Sequence, residues 1–362
     1  MASPMQGLRL MNLVYDLVRE LRMFNATQPA PNCPQMPPNT TDVLLPPRLG
    51  QTATPELWPK DQIKGQQDCL TVSGPKAPAP MIDCLCAFTY LESQQSIFVA
   101  VNYRVGGFGF LGGAEVLKDN STNLGLRAQR MDLEWVADNI AYFGGDPDRA
   151  TIWGQSAGSI SVFDQMALYR GNANYSGKPL FRSTITNSGD DELLMDSANV
   201  LANTGKYYAV PTILTNQEDK RTLFAFAQRH VTSNDSLIDY LKETFFSNAT
   251  REQVAGLVAT YPDESSAGSP FRTQDRNEWY QTTYGTGIGF KRVAAILGNF
   301  VFTLACRLAL NGMAASHPKV PLWSSISSIA HGVAPYWGTP PCADLNMLFK
   351  GIDVRFLPGH TI

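Results

Sequence analysis

The sequence is poor in cysteine, in net charge and in charged residues overall. Six cysteines among 362 residues are too few for a fold that depends on disulfides. Two of them, Cys84 and Cys86, form a C-x-C pair, and no second pair stands at the spacing of zinc ligands. The formal charge of −3 lacks the cationic excess that binds phosphates. No G-K-[ST] sequence follows the glycine-rich residues 106–113. We therefore expect no metal, no cofactor and no nucleic-acid partner.

The sequence also lacks an uninterrupted apolar run of the roughly 20 residues that cross a bilayer. Residues 293–310 come nearest, but they contain Gly298, Asn299 and Arg307, so a buried helix is predicted and no transmembrane segment. Residues 1–24 carry four charged residues between positions 16 and 22 and do not have the apolar segment of a signal peptide. Sequons for N-glycosylation nevertheless indicate an extracellular protein. They lie at Asn25, Asn39, Asn120, Asn174, Asn234 and Asn248.

The pattern of the chain changes along its length. Nine prolines lie within residues 28–60, and such density prevents helices and interrupts sheet ladders. We therefore predict an irregular N-terminal part over residues 1–66 and one domain over residues 67–362. In that domain short apolar runs alternate with stretches of helical periodicity, which predicts an α/β fold with a mostly parallel sheet and helices on both faces. Strands are predicted at 97–103, 150–153, 183–188 and 210–215, and helices at 124–143, 157–168, 237–246, 251–261 and 290–315.

The segment Gly154-Gln155-Ser156-Ala157-Gly158 carries the chemistry. It has the pattern G-x-S-x-G and lies directly between a predicted strand and a predicted helix. A sharp turn there exposes the serine hydroxyl, and its close backbone approach requires glycine at the flanking positions. The N–H of Ala157, at the start of the helix, can face a developing oxyanion. By chance the pattern occurs in roughly one chain of this length in ten, so the flanking strand and helix carry the interpretation.

Three longer segments resemble type-B carboxylesterases and lipases of the α/β-hydrolase fold, relatives of the cholinesterases, and among them the fungal secreted esterases and lipases. These segments are VNYRVGGFGFLGG, NLGLRAQRMDLEWVADNIAYFGGDPDRATIWGQSAGSISVFDQMALY and KPLFRSTITNSG. The resemblance implies a shortened α/β-hydrolase domain over residues 67–362, with Ser156 as nucleophile and a small-molecule or lipid ester as substrate. It also implies an extracellular location and a disulfide between Cys33 and Cys69. Nothing in the sequence indicates an oligomeric state.

The chain departs from the family pattern at both partners of the nucleophile. Lys220 stands where the family has the acid that orients the histidine, and Pro341 stands at the position of the histidine itself. Asp219 is a candidate substitute acid, although a solvated surface carboxylate is the plainer interpretation of Asp219 and of Glu218. His331 is a candidate substitute base, because it is the histidine nearest to the expected place. The remaining histidines are His230, His317 and His360.

Two further family features are missing from the sequence. The H-G-G-G segment that supplies oxyanion donors does not occur, which leaves the N–H of Ala157. Residues 190–210 replace a long helical region that bears the lid in the family. Three interpretations remain open: an ester hydrolase with impaired turnover, a non-catalytic descendant that binds or supports a partner, and a chain with altered exon boundaries.

Overall fold

The structure, a computed structural model, describes residues 96–187, 195–225, 228, 230–273, 290–329 and 338–339. It also describes the backbone of β1 (Val72–Ser73) and β2 (Leu85–Tyr90). The chain divides into two compact units, and the boundary between them falls inside one strand, between Ile152 and Trp153. The first unit contains the described residues up to 152 and residues 174–182, and the second contains 153–173 and the described residues from 183 onward. The predicted boundary between residues 66 and 67 lies outside the described residues.

The sheet strands of the first unit run antiparallel, which differs from the parallel arrangement predicted for most of the sheet. They follow the order β1, β3 (Ser96–Val101), β2, and Phe98 of β3 stands opposite Phe88 of β2. The apolar run that predicted β3 is buried at Ile97, Val99 and Val101. Antiparallel pairing needs only a short connection, and five residues separate β2 from β3 in the sequence.

Three helices follow in the first unit: α1 (Gly106–Phe110), α2 (Ala114–Lys118) and α3 (Leu124–Asn139). Leu126, Leu133 and Val136, which recur at helical spacing in α3, are buried, whereas Phe143 further along is exposed. The last predicted turn is a 3-10 helix (Ile140–Phe143), which ends at Gly144 with a φ of 83°. A second 3-10 turn (Pro147–Arg149) and a two-residue hairpin of β5 (Asn174–Tyr175) and β6 (Lys178–Pro179) complete the unit.

A buried carboxyl lies on the inner side of α3. Burial raises the pKa of Asp132 well above its ordinary value of 3.8. The Oδ2 atom of Asp132 has no hydrogen-bond partner within the described part of the chain. The folded state therefore holds the proton more tightly than the unfolded state does, so the stability of the fold falls as the pH rises from 3.8 towards the raised pKa.

We expect the variant Asp132→Asn to be more stable than the parent at pH 7, because an amide is easier to bury than an ionised carboxylate. The difference shrinks as the pH is lowered towards 4, where the parent carboxyl is protonated. Denaturation midpoints at pH 4, 5.5 and 7 measure it. Asp138→Asn is the control, since Asp138 is exposed on the same helix. A midpoint for Asp132→Asn that matches the parent at every pH contradicts the prediction.

The second unit contains the parallel sheet that the sequence predicted. Its strands follow the order β4 (Thr151–Gln155), β7 (Ser183–Asn187), β8 (Thr212–Gln217), β9 (Leu322–Ser327), and the unit includes residues 153–155 of β4. The parallel register pairs Thr184 with Thr212 and Ile213 with Trp323. The carboxyl ends of these strands therefore lie along one edge of the sheet, where α/β folds place their sites.

Helices connect and cover the strands of the second unit. They are α4 (Ala157–Gly171), α5 (Met195–Thr204), α6 (Thr222–Ala225), α7 (Asn234–Thr244), α8 (Arg251–Ala259), α9 (Phe290–Leu297) and α10 (Ala305–Ser316), with a π-helical turn over Gly298–Leu304. A capping box begins α8, because the Thr250 side chain accepts from the Gln253 N–H and the Gln253 side chain accepts from the Thr250 N–H.

The helical stretch Phe290–Ser316 is long and apolar enough, by length and composition, to cross a membrane. All eight residues of α9 are nevertheless buried in the second unit. Phe290 and Val293 belong to the same apolar cluster as Leu237 of α7 and Val254 of α8. The prediction of a packed helix therefore agrees with the surroundings of α9.

Candidate active site

The turn between β4 and α4 holds Ser156 in an unusual backbone conformation. Ser156 has φ 53° and ψ −121°, a region that non-glycine residues seldom adopt and that costs about 1–3 kcal/mol. The strand and the helix come so close at this turn that a Cβ at Gly154 would overlap the carbonyl oxygen of Gly158 and lie 2.7 Å from the Ser159 nitrogen. The prediction that position 154 must be glycine is thus confirmed, because the backbone at the start of α4 leaves no room for a Cβ there.

Backbone hydrogen bonds fix this turn from both sides. The Ser156 N–H donates to the carbonyl oxygen of Asn187, at the end of β7, over 2.9 Å. The Ser156 carbonyl accepts from the N–H groups of Ser159 and Ile160 at 2.8 and 3.2 Å. The strained residue is therefore held by its neighbouring strand as well as by the first turn of its own helix.

Ser156 is half-buried, and its side chain makes no capping hydrogen bond to α4. Ala157, the first residue of α4, is exposed. The first N–H groups of a helix have no partner within the helix, and the helix dipole favours negative charge at that end. This arrangement can present a nucleophilic oxygen beside a donor for an oxyanion.

Asp219 is a buried anchor between loops, so the interpretation of it as a solvated surface carboxylate is wrong. It follows β8 and is 1% exposed. Its Oδ1 accepts from the Ser269 hydroxyl at 2.8 Å and from the Phe271 N–H at 2.9 Å, and its Oδ2 accepts from the Thr339 N–H at 3.0 Å. The Asp219 N–H donates in turn to the Thr339 carbonyl at 3.3 Å. These bonds join the end of β8 to two segments that are distant in the sequence.

The close approach of residues 338–339 to Asp219 also explains why position 338 is a glycine. Gly338 has a φ of 64°, and a Cβ there would lie 2.6 Å from the Asp219 carboxyl carbon. The resemblance places the family's acid beside Asp219 and the family's histidine two residues after Thr339. The two loops that carry these family positions are therefore joined at Asp219, although neither position holds the family residue.

The side chains that flank Asp219 have other contacts. Glu218 is 24% exposed and forms an ion pair with Arg272, so it too is more than a solvated carboxylate. Lys220, at the position of the family's acid, is buried, and its Nζ lies 4.4 Å from the centre of the Phe302 ring. The guanidinium of Arg221 lies 4.7 Å from the same ring. The position that would carry a negative charge in the family thus belongs to a pair of buried cations packed on one aromatic ring.

The other residues predicted for the site, together with the remaining histidines, divide into those outside the described residues and those within them. His331, Pro341, Cys33 and Cys69 lie outside the described residues, as does His360. The other two histidines are described, and both lie beside tyrosines. His317 Nδ1 is 3.2 Å from the Tyr207 hydroxyl, and the exposed His230 contacts the Tyr240 ring edge-on.

Sequence reasoning missed Asn187, which the structure places against the turn. Asn187 ends β7 and is 2% exposed. Besides its backbone bond to Ser156, its side-chain oxygen accepts from the Trp153 indole N–H, and its Nδ2 donates to the Thr215 hydroxyl at 2.7 Å. The available signal was a polar residue at the carboxyl end of a predicted strand, next to the strand that leads to Ser156.

A cavity of about 60 Å³ lies in the second unit among α4, the strands β7 and β8, and α10. Phe163, Leu214, Cys306 and Met313 are among its lining residues. This volume is well below the roughly 300–1,000 Å³ of typical ligand pockets, so the cavity does not hold an acyl chain as it stands. Among the described residues, no group of three or more His, Cys, Asp or Glu side chains could hold a metal ion.

A parallel sheet whose strand passes through a glycine-flanked serine turn into a helix is the arrangement of the α/β-hydrolases. The structure of Aspergillus niger EstA shares this fold, with a TM-score of 0.64 and 18% identity over 91% of this chain and 73% of that one. The PNB esterase fold gives a TM-score of 0.57 at 18% identity, over 91% and 75% of the two chains. The fold is therefore that of an incomplete α/β-hydrolase.

Sequence relatives identify the family within that fold. The model of the Carboxylesterase family matches residues 86–245. Secreted triacylglycerol lipase LIP1 of Gibberella zeae is 40% identical over 86% of this chain, and Secreted lipase 1 of Botryotinia fuckeliana is 34% identical over 98% of it. The chain spans 66% and 77% of the lengths of these two relatives. The chain belongs to the carboxylesterase family, as its resemblance predicted.

Proposed function

We propose that the chain is a carboxylic ester hydrolase whose nucleophile is Ser156 and whose turnover is impaired. The observation that carries this proposal is the strained turn at Ser156, a half-buried residue directly before the start of α4. Strain of this kind persists where the surrounding structure enforces it, and it clusters at active sites. The substrate is a small-molecule or lipid ester, and the location is extracellular, in keeping with the secreted relatives and the sequons.

In the proposed reaction the Ser156 oxygen attacks the acyl carbonyl, and the Ala157 N–H donates a hydrogen bond to the oxyanion that forms. The proton leaves Ser156 for a base, for which His331 is the sequence-based candidate. The alcohol departs with a proton, and water then releases the acid from the acyl-serine. Asp219 serves as the loop anchor in this proposal, since Ser269, Phe271 and Thr339 already donate to its carboxylate.

Impairment follows from the charge at position 220. A carboxylate at that position would stabilise the imidazolium that forms when the base takes the proton, whereas the buried Lys220 supplies no negative charge there. The same observation favours the second candidate function, a non-catalytic member of the family that serves as a binding or structural module. Altered exon boundaries are the third interpretation, and an H-G-G-G-F coding segment in unspliced sequence next to residues 75–95 supports it.

A fluorophosphonate probe and a short aryl ester test the proposal on the 362-residue chain. We expect one phosphonyl adduct on Ser156, found by mass spectrometry of the peptides, because a fluorophosphonate reacts with a serine hydroxyl that a base activates. We expect turnover of the aryl ester to be about 10³-fold or more below that of a complete triad, because triad members act as a unit. Ser156→Ala is the control for both, and His331→Ala tests the base.

A melting curve of the parent chain distinguishes a folded chain that does not react with the probe from a chain that has not folded. A chain that unfolds cooperatively and takes no adduct at Ser156 refutes the hydrolase and leaves the non-catalytic module. An adduct that forms equally in His331→Ala removes His331 from the mechanism while leaving Ser156 in it. Ester turnover that survives Ser156→Ala assigns the reaction to another residue.

A further inference from the structure

We propose that Asn187 is a positioning residue for the nucleophile turn, an inference that rests on the proposed role of Ser156. Asn187 is the last residue of β7 and is 2% exposed. Its main chain and its side chain hold three different parts of the site: the Ser156 N–H, the Trp153 indole and the Thr215 hydroxyl. One residue thus ties the end of β4, the turn and β8 together.

The direction of each bond follows from the chemistry of the partners. An indole N–H can only donate, so the Trp153 ring requires the carbonyl oxygen of the Asn187 amide as its acceptor. The amide nitrogen then faces the Thr215 hydroxyl and donates to it over 2.7 Å. The side chain is therefore fixed in one orientation, and it holds the Asn187 backbone carbonyl at a defined place on the edge of the sheet.

The position of the Asn187 carbonyl affects the turn because the backbone of Ser156 is strained. The φ of 53° at Ser156 relaxes if the turn is free to move, and relaxation takes the hydroxyl away from the position that the helix start enforces. The bond from the Ser156 N–H to the Asn187 carbonyl, at 2.9 Å, comes from outside α4 and opposes that movement. Trp153, three residues before Ser156, is held by the same amide. Loss of the amide loosens both ends of the turn.

The chain offers a matched control on the same pair of strands. The Thr184 hydroxyl lies 2.8 Å from the Thr212 hydroxyl, and Thr212 donates to the Val210 carbonyl, so Thr184 is the donor between them. This bond joins β7 to β8, as the bond from Asn187 to Thr215 does, and Thr184 is buried. It stands three residues before Asn187, and its hydrogen bonds to Thr212 and to the Pro211 carbonyl do not involve the turn at Ser156.

The test compares Asn187→Leu, which keeps the size of the side chain and removes its hydrogen bonds to Trp153 and Thr215, with Thr184→Val. We expect both variants to lower the melting temperature. We expect Asn187→Leu alone to slow phosphonylation of Ser156, by about tenfold, or about 1.4 kcal/mol in activation free energy, and Thr184→Val to change that rate less than twofold. Asn187→Asp keeps an acceptor for Trp153 and an acceptor for the Thr215 hydroxyl, so it should recover part of the rate.

Hydrogen exchange of the peptide that spans residues 154–160 gives a readout that does not depend on reactivity. We expect faster exchange there in Asn187→Leu and parent-like exchange in Thr184→Val. If the parent chain takes no adduct, the proposed hydrolase fails, and the exchange data alone decide the role of Asn187. Equal slowing of phosphonylation in the two variants, or equal exchange at residues 154–160, overturns the inference.

Discussion

Gly154→Ala should lower the free energy of unfolding of the second unit by about 3 kcal/mol. The added methyl group would overlap the Gly158 carbonyl and lie within 2.7 Å of the Ser159 nitrogen, and both are backbone atoms of a helix. Overpacking of a rigid neighbour typically costs 1–3 kcal/mol, and a backbone neighbour belongs at the upper end of that range. Chemical denaturation, with the slope checked against the parent, measures the change.

Gly256→Ala is the control for this prediction. Gly256 lies inside α8, where an added Cβ meets no atom within 4 Å. Alanine is the better helix former there by about 0.5–1 kcal/mol, so this variant should be more stable than the parent. If both alanine variants shift the midpoint in the same direction, the close approach at Gly154 does not decide the stability of the turn.

Asp219→Ala should destabilise the second unit by a similar amount, about 3 kcal/mol, for a different reason. The substitution leaves the Ser269 hydroxyl and the N–H groups of Phe271 and Thr339 without the acceptor that each now has. A buried donor left without a partner costs about 1–3 kcal/mol. Denaturation gives the stability, and hydrogen exchange over residues 269–273 and 338–339 shows whether the two loops separate from β8.

Glu218→Gln is the matched control, because Glu218 is the preceding residue and its ion pair with Arg272 is partly exposed. Ion pairs of this kind contribute less than about 1 kcal/mol, so the control should stay close to the parent. A variant Asp219→Ala that melts with the parent, or that leaves exchange in residues 338–339 unchanged, would show that the loops are held by other contacts.

The parts of the fold that were predictable are those with a strong local pattern. The predicted strand at 183–188 is observed as Ser183–Asn187, and the strand at 150–153 as Thr151–Gln155. The helix predicted over 290–315 is observed from Phe290 to Ser316 and includes a π-helical turn that no local pattern indicated. The serine turn was predictable because glycine, serine and the flanking elements lie within a few residues of each other.

Other elements lack such a pattern. In β9, Trp323 and Ile326 stand among serines, so the sequence shows neither an apolar run nor a regular alternation of apolar and polar residues. Both of these apolar side chains are exposed. The short antiparallel strands β1 and β2 were not predicted, and neither was the hairpin of β5 and β6. A two-residue strand such as β5 or β6 is too short to show a period.

The site was harder to predict because its bonds are long-range. Asp219 meets residues 50 and 120 positions further along the chain, at Ser269 and Thr339. No short stretch of sequence contains Asp219 together with Ser269 and Thr339. Because Asp219 has charged neighbours in the sequence, it resembled a surface residue. The resemblance did indicate that the two loops belong together, and the bonds at Asp219 give the physical basis for that.

The anchor at Asp219 and the adjacent Lys220 are separate residues with separate contacts, one with two loops and the other with Phe302. Two different codons therefore encode the residue that joins the loops and the residue at the family's acid position. Under the proposed function, a lineage can lose hydrolysis through a change at the second codon while the first codon still preserves the folded structure. In a survey of relatives, good expression is then evidence about the anchor and says nothing about the chemistry.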